Sequence, residues 1–291
     1  MNENGKMGVI CFNKKPSLIT RAWHRVQERI RHPEIKKKIA GIITLFKGRV
    51  GNVRSVKLDE LNKNGITTFP GFISVEEVNG LRKSLEELPC FDPWAVDLGE
   101  FHHTNIPART HVAQIKLAPS LVKLHKLAYD RRLADLAAGY FGCKPTLDSI
   151  QAWWSVSGHN QPEEAENFHR DNDSIRFLKF FIYITDVGKN NGPHIFVEGS
   201  HTSGQLLERR RLTDAEVAEK FGSKILCMTG KAGDAFMEDT YGIHKGQLPI
   251  EGRRLLVQFR YSVTETVFRS PITVRCEVGK FSANISSLIH E

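Results

Sequence analysis

In the stretch NFHRDND, Asn167 to Asp173, a histidine and an aspartate stand two residues apart as His169 and Asp171. A second imidazole, His244, comes 73 residues after Asp171 in YGIHKG, and Arg254 follows ten residues later. Two imidazoles and one carboxylate can occupy one face of an octahedral metal and leave three positions open. That face is the usual platform of non-haem Fe(II) oxygenases. Residues i and i+2 of an extended chain point the same way, so His169 and Asp171 can reach one ion. His244 has to be brought alongside by a distant strand. Arg254, near the start of a strand candidate, could grip the far carboxylate of a dicarboxylate as a bidentate pair. Arg253 would point to the opposite face, so only one of the two can serve.

Spacing alone is weak evidence. With 12 His and 33 Asp plus Glu in 291 residues, chance supplies about one His-x-acid pair. His32 and Glu34 form such an accidental match. Taken alone, His169 and Asp171 read more simply as an ordinary polar loop, and the context has to decide.

That context is a chain with helices first and strands after. LDELNKNGITTFPGFISVEEVNGLRKSLEEL reads helix, strand, helix. Gly65 ends the first helix, and Ser74 with Glu77 forms a capping box that opens a helix over Val75–Leu88. Leu121–Gly142 is a further helical region. Strand candidates follow at Ser149–Val156, Phe177–Val187, His194–Ser200, Lys224–Gly230, Asp234–Asp239, Arg253–Val263 and Ile272–Val278, most of them separated by Gly-, Pro- and Asn-rich turns. The order predicts an α+β fold with a β-sandwich or barrel core. His169 and Asp171 fall between two strand candidates, and so does His244.

Residues 1–55 read as a basic N-terminal segment and 56–291 as the main domain. The segment carries 13 Lys/Arg and 3 Glu, whereas the remainder carries 28 basic and 30 acidic residues. Ile19, Trp23, Val26 and Ile30 recur at helical spacing, with Arg21, Arg25 and Arg29 at other angles, and Pro33 breaks that helix. The simpler expectation packs this stripe on the main domain. The alternative lays residues 16–50 on an anionic membrane surface. No apolar run approaches the ~20 residues of a membrane span, and the first residues lack the pattern of a secretory signal. Five scattered cysteines without a C-x-x-C fit a reducing cytoplasm. Nucleic-acid binding is disfavoured, because the main body is net acidic and the basic tract offers few aromatics for stacking, Trp23 and Phe46 among them.

Four segments in order resemble the phytanoyl-CoA dioxygenase family of Fe(II)/2-oxoglutarate-dependent oxygenases. They are NGITTFPGFISVEEVNGLRKSLEEL, FHRD, NNGPHIFVEGSH and IHKG…GRRLLVQFRYS. The resemblance implies a double-stranded β-helix (jelly-roll) core with flanking helices. It implies His169, Asp171 and His244 as iron ligands and Arg254 as the anchor of the distal 2-oxoglutarate carboxylate, with Arg253 as a fallback. Gln151 falls where some members place a glutamine near the cosubstrate, and Lys179 is a weaker candidate for the cosubstrate or a substrate anion. The implied reaction consumes 2-oxoglutarate and dioxygen, releases succinate and carbon dioxide, and hydroxylates a C–H of a small-molecule or lipid-linked substrate. A carboxylate at Asp171, where a small apolar residue would open a halide position, favours hydroxylation over halogenation. A jelly roll that binds metal or ligand without turnover is the alternative.

Other residues read more plainly. His201 is expected to be structural. The histidines of EFHHTNIPARTH (His102, His103, His111) are loop residues whose segment could rim a pocket. One of Trp153 and Trp154 belongs to the core and the other can line the cavity. The loop GHNQPEEAEN before His169 departs from the family pattern in being strongly acidic.

Overall fold

The computed structural model describes residues 17–266 apart from 52, 119 and 120. The strand candidate Ile272–Val278 lies outside the described residues. The strands are β1 (Ile66–Phe69), β2 (Cys90–Phe91), β3 (Glu100–Phe101), β4 (Val112–Ile115), β5 (Thr146–Val156), β6 (Phe177–Tyr183), β7 (His194–Val197), β8 (Ile225–Met228), β9 (Ala235–Glu238), β10 (His244–Gly246) and β11 (Arg253–Ser262). Eight form one sheet in the order β1-β9-β6-β11-β5-β4-β2-β3, and β10-β7-β8 form a second. Every pairing is antiparallel. The fold is a jelly roll, a double-stranded β-helix with flanking helices.

The helices are α1 (Leu18–Gln27), α2 (Pro33–Lys47), α3 (Val56–Asn64), α4 (Val75–Glu86), α5 (Val122–Ala128), α6 (Arg131–Phe141) and α7 (Asp214–Phe221). The large sheet separates two environments by the period-2 alternation of its strands. Ile150, Ala152 and Trp154 of β5, Leu255, Val257 and Phe259 of β11 and Leu178, Phe180 and Ile182 of β6 join one core cluster with Leu61, Leu81, Leu85, Leu133 and Ala137 from α3, α4 and α6. The opposite face, carrying Gln151, Trp153, Lys179, Phe181, Arg254, Leu256 and Gln258, lines a cavity.

Local signals hold where the chain carries its own caps. Ser74 and Glu77 make the reciprocal capping box. Gly65 ends α3 at φ +82°, and a Cβ there would meet His201 Nδ1 at 2.5 Å. Leu121–Gly142 resolves into α5 and α6 because Asp130 starts a second helix by accepting the Arg132 N–H. Sequence reading missed β2, β3, β4 and β10, all four residues or fewer. It also missed α7, although Thr213 and Glu216 form a capping box there.

The N-terminal helices differ from expectation. Pro33 occupies the first turn of α2 rather than ending α1, which stops at Gln27. A proline at that position has no N–H to leave unpaired. The residues of α1 that are buried are His24 and Gln27, while Ile19 and Val26 are 82% and 52% exposed. On α2 the buried residues are Pro33, Lys36, Ala40 and Thr44, while Ile35, Ile42, Leu45 and Phe46 face outward. Ile19 and Val26 of the stripe therefore face away from the domain, while Trp23 and Ile30 are half-buried. The end of α1 and the start of α2 meet a polar loop with polar side chains, and further along α2 Ile43 packs against the main core. No described helix is long and apolar enough to cross a membrane. Cys90, Cys143 and Cys227 are free thiols.

Candidate active site

Backbone pairing brings the two candidate metal-ligand segments together. His169 N–H donates to His244 O at 2.9 Å, and His244 N–H returns the bond to His169 O at 3.0 Å. Asp171 N–H donates to Thr240 O at 2.9 Å. The ligating atoms of His169, Asp171 and His244 lie within 4.8 Å of one another. His169 Nε2 is 3.5 Å from Asp171 Oδ1, and His244 Nε2 is 3.4 Å from Asp171 Oδ2.

The tautomers suit a metal. His169 Nδ1 bonds Asn167 O at 2.8 Å, and His244 Nδ1 bonds Gly242 O at 2.9 Å. A carbonyl can only accept, so both Nδ1 atoms carry the proton. Each Nε2 then presents a lone pair toward Asp171, the arrangement in which a second hydrogen bond orients a ligating imidazole. Burial and the neighbouring His244 pull His169 down to about 4. Burial acts the same way on His244, but Asp171 outweighs it and the imidazole rises. Asp171 is held well below the usual carboxylate range: burial opposes this, and Lys179 and His244 overcome it. The donor set, two neutral-capable imidazoles and an ionised carboxylate, fits a divalent metal.

Lys179 is largely buried and committed to two carboxylates. Its Nζ donates to Asp171 Oδ2 at 2.6 Å and lies 3.0 Å from Asp173 Oδ2. Asp171 and Asp173 raise it against burial. Arg260 closes the chain of charges, reaching Asp173 at 2.8 Å and Asp148 at 2.6 Å.

The cavity over the metal residues holds about 310 Å³. Register explains which arginine enters it. Arg254, Leu256 and Gln258 of β11 stand opposite Ser155, Trp153 and Gln151 of β5, and all six line the cavity. Arg254 is 3% exposed. Its Nη1 donates to Gly192 O and its Nη2 to Ser155 Oγ at 2.9 Å, while its Nε has no partner among the described residues. A Cβ on Gly246 would come to 3.2 Å from Arg254 Nη2, so the glycine leaves the guanidinium room. Arg253 turns the other way, donating to His103 O at 2.6 Å and covering the Trp154 ring. Gln151 accepts from Gln258 Nε2 at 3.0 Å. Trp153 lines the cavity and Trp154 is core. His201 lies against Gly65, with its Nε2 donating to Asn62 O at 3.3 Å.

Three features escaped sequence reading. His194, on β7, stacks on His244 with centroids 5.5 Å apart. Its Nε2 lies 2.9 Å from Glu238 Oε1, off-line for a hydrogen bond. Burial pushes Glu238 up to about 8 and, with His244, holds His194 well below its ordinary value, so both are neutral near pH 7. A glutamate inside the apolar run AFME was the available signal. Glu166, from the acidic loop, also lines the cavity. Thirdly, the N-terminal helices hold the metal loop from behind. Lys36 Nζ donates to Asn172 Oδ1 at 2.5 Å and to Ser174 O at 3.4 Å, Gln27 Nε2 donates to Asp173 O at 3.1 Å, and Asn172 Nδ2 donates to Glu28 O at 3.2 Å. Tyr241, three residues before His244, donates to Arg31 O and lies under Lys36 Nζ.

A jelly roll with two imidazoles and a carboxylate converging at one end has the architecture of mononuclear non-haem metal enzymes. The chain belongs to the phytanoyl-CoA dioxygenase (PhyH) family, whose sequence profile matches residues 61–247, and is a 2-oxoglutarate-dependent non-haem iron dioxygenase. No curated protein matches it in sequence. Among solved structures it is similar to SnoK, a non-haem α-ketoglutarate-dependent carbocyclase from nogalamycin biosynthesis, at 17% identity and TM-score 0.54 over 74% of this chain and 86% of that one. It is similar to EctD from S. alaskensis with 2-oxoglutarate and 5-hydroxyectoine, at 21% identity and TM-score 0.52 over 72% and 76%. It is also similar to HygX from Streptomyces hygroscopicus with nickel, 2-oxoglutarate and hygromycin B, at 17% identity and TM-score 0.50 over 72% and 87%. These likenesses bear on the fold.

Proposed function

We propose that the protein hydroxylates an unactivated C–H of a small-molecule substrate, using Fe(II), 2-oxoglutarate and dioxygen and releasing succinate and carbon dioxide. The observation that carries this reading is the convergence of three ligating atoms, with both imidazole tautomers fixed by backbone carbonyls, in a cavity that also holds a buried guanidinium. His169, Asp171 and His244 would hold the iron. Iron with 2-oxoglutarate and dioxygen supplies the oxidative decarboxylation and the oxidant for the C–H bond.

The chain's own residues bind, orient and exclude water. Arg254 takes the distal carboxylate of the cosubstrate, because a buried guanidinium with an unpartnered Nε favours an anion in its fork. Lys179 fixes Asp171 in its ionised form and in one orientation. Gln151, paired with Gln258, offers an amide to the cosubstrate's side of the cavity. Phe181, Leu256 and Trp153 form apolar walls that keep bulk water off the reacting centre.

The test is anaerobic. Fe(II) and 2-oxoglutarate added together are expected to give a visible metal-to-ligand charge-transfer band, and Ala at His169, Asp171 or His244 is expected to remove it and to abolish substrate-stimulated succinate release. Full activity in any of the three variants, with wild-type iron content, refutes the assignment. A band without succinate from any substrate would favour a ligand-binding jelly roll instead.

A second reading concerns where the substrate is met. Leu18, Ile19, Ile42, Leu45 and Phe46 expose apolar side chains beside the exposed cations Arg21, Arg25, Arg29, Lys37 and Lys38. That combination supports peripheral contact with an anionic membrane and a lipid-linked substrate. Flotation of the full chain with anionic vesicles is expected, reduced in a form lacking residues 1–55; equal partitioning of both removes this reading.

A further inference from the structure

The wall between the metal residues and Arg254 contains an imidazole whose place neither of them explains. His194 of β7 is 4% exposed and lines the cavity. Its ring stacks on His244 and packs against Phe181 and Phe236, with centroids 5.2 and 5.1 Å away. Across the strand pair it faces Gly246, the glycine that leaves room for the Arg254 guanidinium. Gly192, two residues earlier, accepts the Arg254 Nη1 bond on its carbonyl. A ligand that reaches from the metal residues to Arg254 therefore runs alongside His194.

The two ring nitrogens have different surroundings. Nε2 is sealed off and lies 2.9 Å from Glu238 Oε1. Nδ1 also lacks a partner among the described residues but keeps accessible surface, and the cavity is what it opens onto. Behind the ring, Glu238 is 0% exposed, and neither of its oxygens has a hydrogen bond among the described residues. In an aromatic seat of this kind an apolar side chain would cost nothing, whereas a buried imidazole and carboxyl cost free energy until their polar atoms are met.

The pair can arrange its proton in two ways. With the proton on Nε2, the ring donates to Glu238 and turns a bare Nδ1 to the cavity. With Glu238 donating to Nε2, the ring proton sits on Nδ1 and points into the cavity. Carboxylate and keto oxygens only accept, so a dicarboxylate beside His194 selects the second arrangement. The contact between Nε2 and Glu238 is off-line, and contacts of this kind tighten when the ligand binds.

We infer that His194 is a contact residue of the cosubstrate, donating from Nδ1 to an oxygen of 2-oxoglutarate between the metal and Arg254, with Glu238 as the positioning residue behind it. The inference rests on the oxygenase reading and adds to it a further protein contact on the anion. Glu238 serves in its acid form, since an ionised carboxylate has nothing to donate.

The experiment titrates 2-oxoglutarate anaerobically into the full chain loaded with Fe(II), following both the charge-transfer band and the heat. His194→Leu is expected to bind 2-oxoglutarate about tenfold more weakly, the scale of one hydrogen bond to a charged group, and to shift the band. His194→Gln, which keeps an N–H, should recover much of that loss. Glu238→Leu should cost more affinity than Glu238→Gln, whose amide still donates to Nε2. A second measurement needs no variant and decides the matter if His194→Leu does not fold. With Zn(II) in place of iron, the imidazole nitrogen resonances of the wild-type chain should show His194 protonated on Nδ1 once 2-oxoglutarate is added. Equal affinity in His194→Leu and wild type, or a His194 ring protonated on Nε2 in the complex, overturns the contact. The two readings fail differently. A band with unchanged affinity in His194→Leu keeps the oxygenase and removes the contact. Binding that depends on His194 but gives no band in the wild type does the reverse, and no heat from 2-oxoglutarate in the wild type removes both.

Discussion

The loop that carries Asp171 is held from two sides, and the two sides use different physics. Toward the barrel interior, Lys179 and Arg260 meet Asp171, Asp173 and Asp148 as a run of charges, buried at Arg260 and Asp148 and largely buried at the others. Toward the outside, α1 and α2 meet the same loop with neutral groups and one lysine: Gln27 on a carbonyl, Asn172 on Glu28 O, and Lys36 on an amide and a carbonyl. The inner side lies within the part of the chain that matches the family, except for Arg260, and the outer side lies wholly before it. Buried charges fix position at a high desolvation cost and fail badly when one partner goes. Amide and carbonyl bonds are individually weaker and fail gradually. The comparison assigns fold stability to the inner side and fine placement of the loop to the outer side.

Breaking the inner side is the largest expected effect. Arg260→Met leaves Asp148 and Asp173 buried without their guanidinium. Burial already pushes Asp148 up with Arg260 beside it, so the orphaned carboxyl takes a proton. The expected loss is about 3–5 kcal/mol of unfolding free energy, read from the urea midpoint. A loss below about 1 kcal/mol would mean that the network is not what fixes the loop.

The outer side should show in metal binding before it shows in stability. Lys36→Met removes the bond to Asn172, the residue next to Asp171. Direct partners of metal ligands cost about 10- to 100-fold in metal affinity; Lys36 acts one residue further out, so about threefold to tenfold weaker Fe(II) binding is expected, with a smaller shift in the urea midpoint than Arg260→Met. Unchanged iron affinity would reduce α2 to a packing element.

Sequence reading singled out Asp171 and Lys179 on the inner side, without their pairing or Arg260, and missed the outer side, for physical reasons. The candidate metal trio could be picked out because His169-x-Asp171 and the distal His244 sit on extended chain, where spacing fixes direction, and the structure brings the three together. Arg254 over Arg253 follows from strand parity once a neighbour of known facing, such as Ser155, is given. Gly65 and Ser74 announce helix ends through local bonds. Nothing local, however, distinguishes Lys36 from Lys37 and Lys38. Burial of Lys36 is decided by Asn172 and Ser174, more than 130 positions away. The stripe Ile19, Val26 was correctly helical in period, yet the partner of α1 is polar, so His24 and Gln27 turn inward. Glu238 and His194 were hidden similarly, inside apolar strands whose neighbours only the sheet order supplies.

Lys36 also gives the comparison a pH signature. Burial lowers it from 10.5 to about 8, against Asp239 and Asp173. Between those values the unfolded chain binds a proton that the folded chain has released. Stability therefore rises with pH across that window. Metal-free wild-type protein should gain on Lys36→Met from about pH 8 upward, and a gap that stays flat from pH 7 to 10 would contradict the burial of the ammonium.

The smallest effect is the sharpest control on which face of α2 is docked. Phe46 is 88% exposed and Ala40, on the same helix, is 2% exposed. Exposed positions without partners tolerate substitution within about 0.5 kcal/mol, whereas a charge forced into a buried site without a partner costs several times more. Phe46→Ser should leave the urea midpoint unchanged, and Ala40→Asp should lower it clearly. The direction of the contrast matters more than its size, because a helix read by hydrophobicity alone would rank the two the other way: Phe46 as the anchor and Ala40 as neutral. A Phe46→Ser loss above about 1 kcal/mol would mean that the apolar face is covered within the folded chain. The neutral surface on which the membrane reading depends would then not exist.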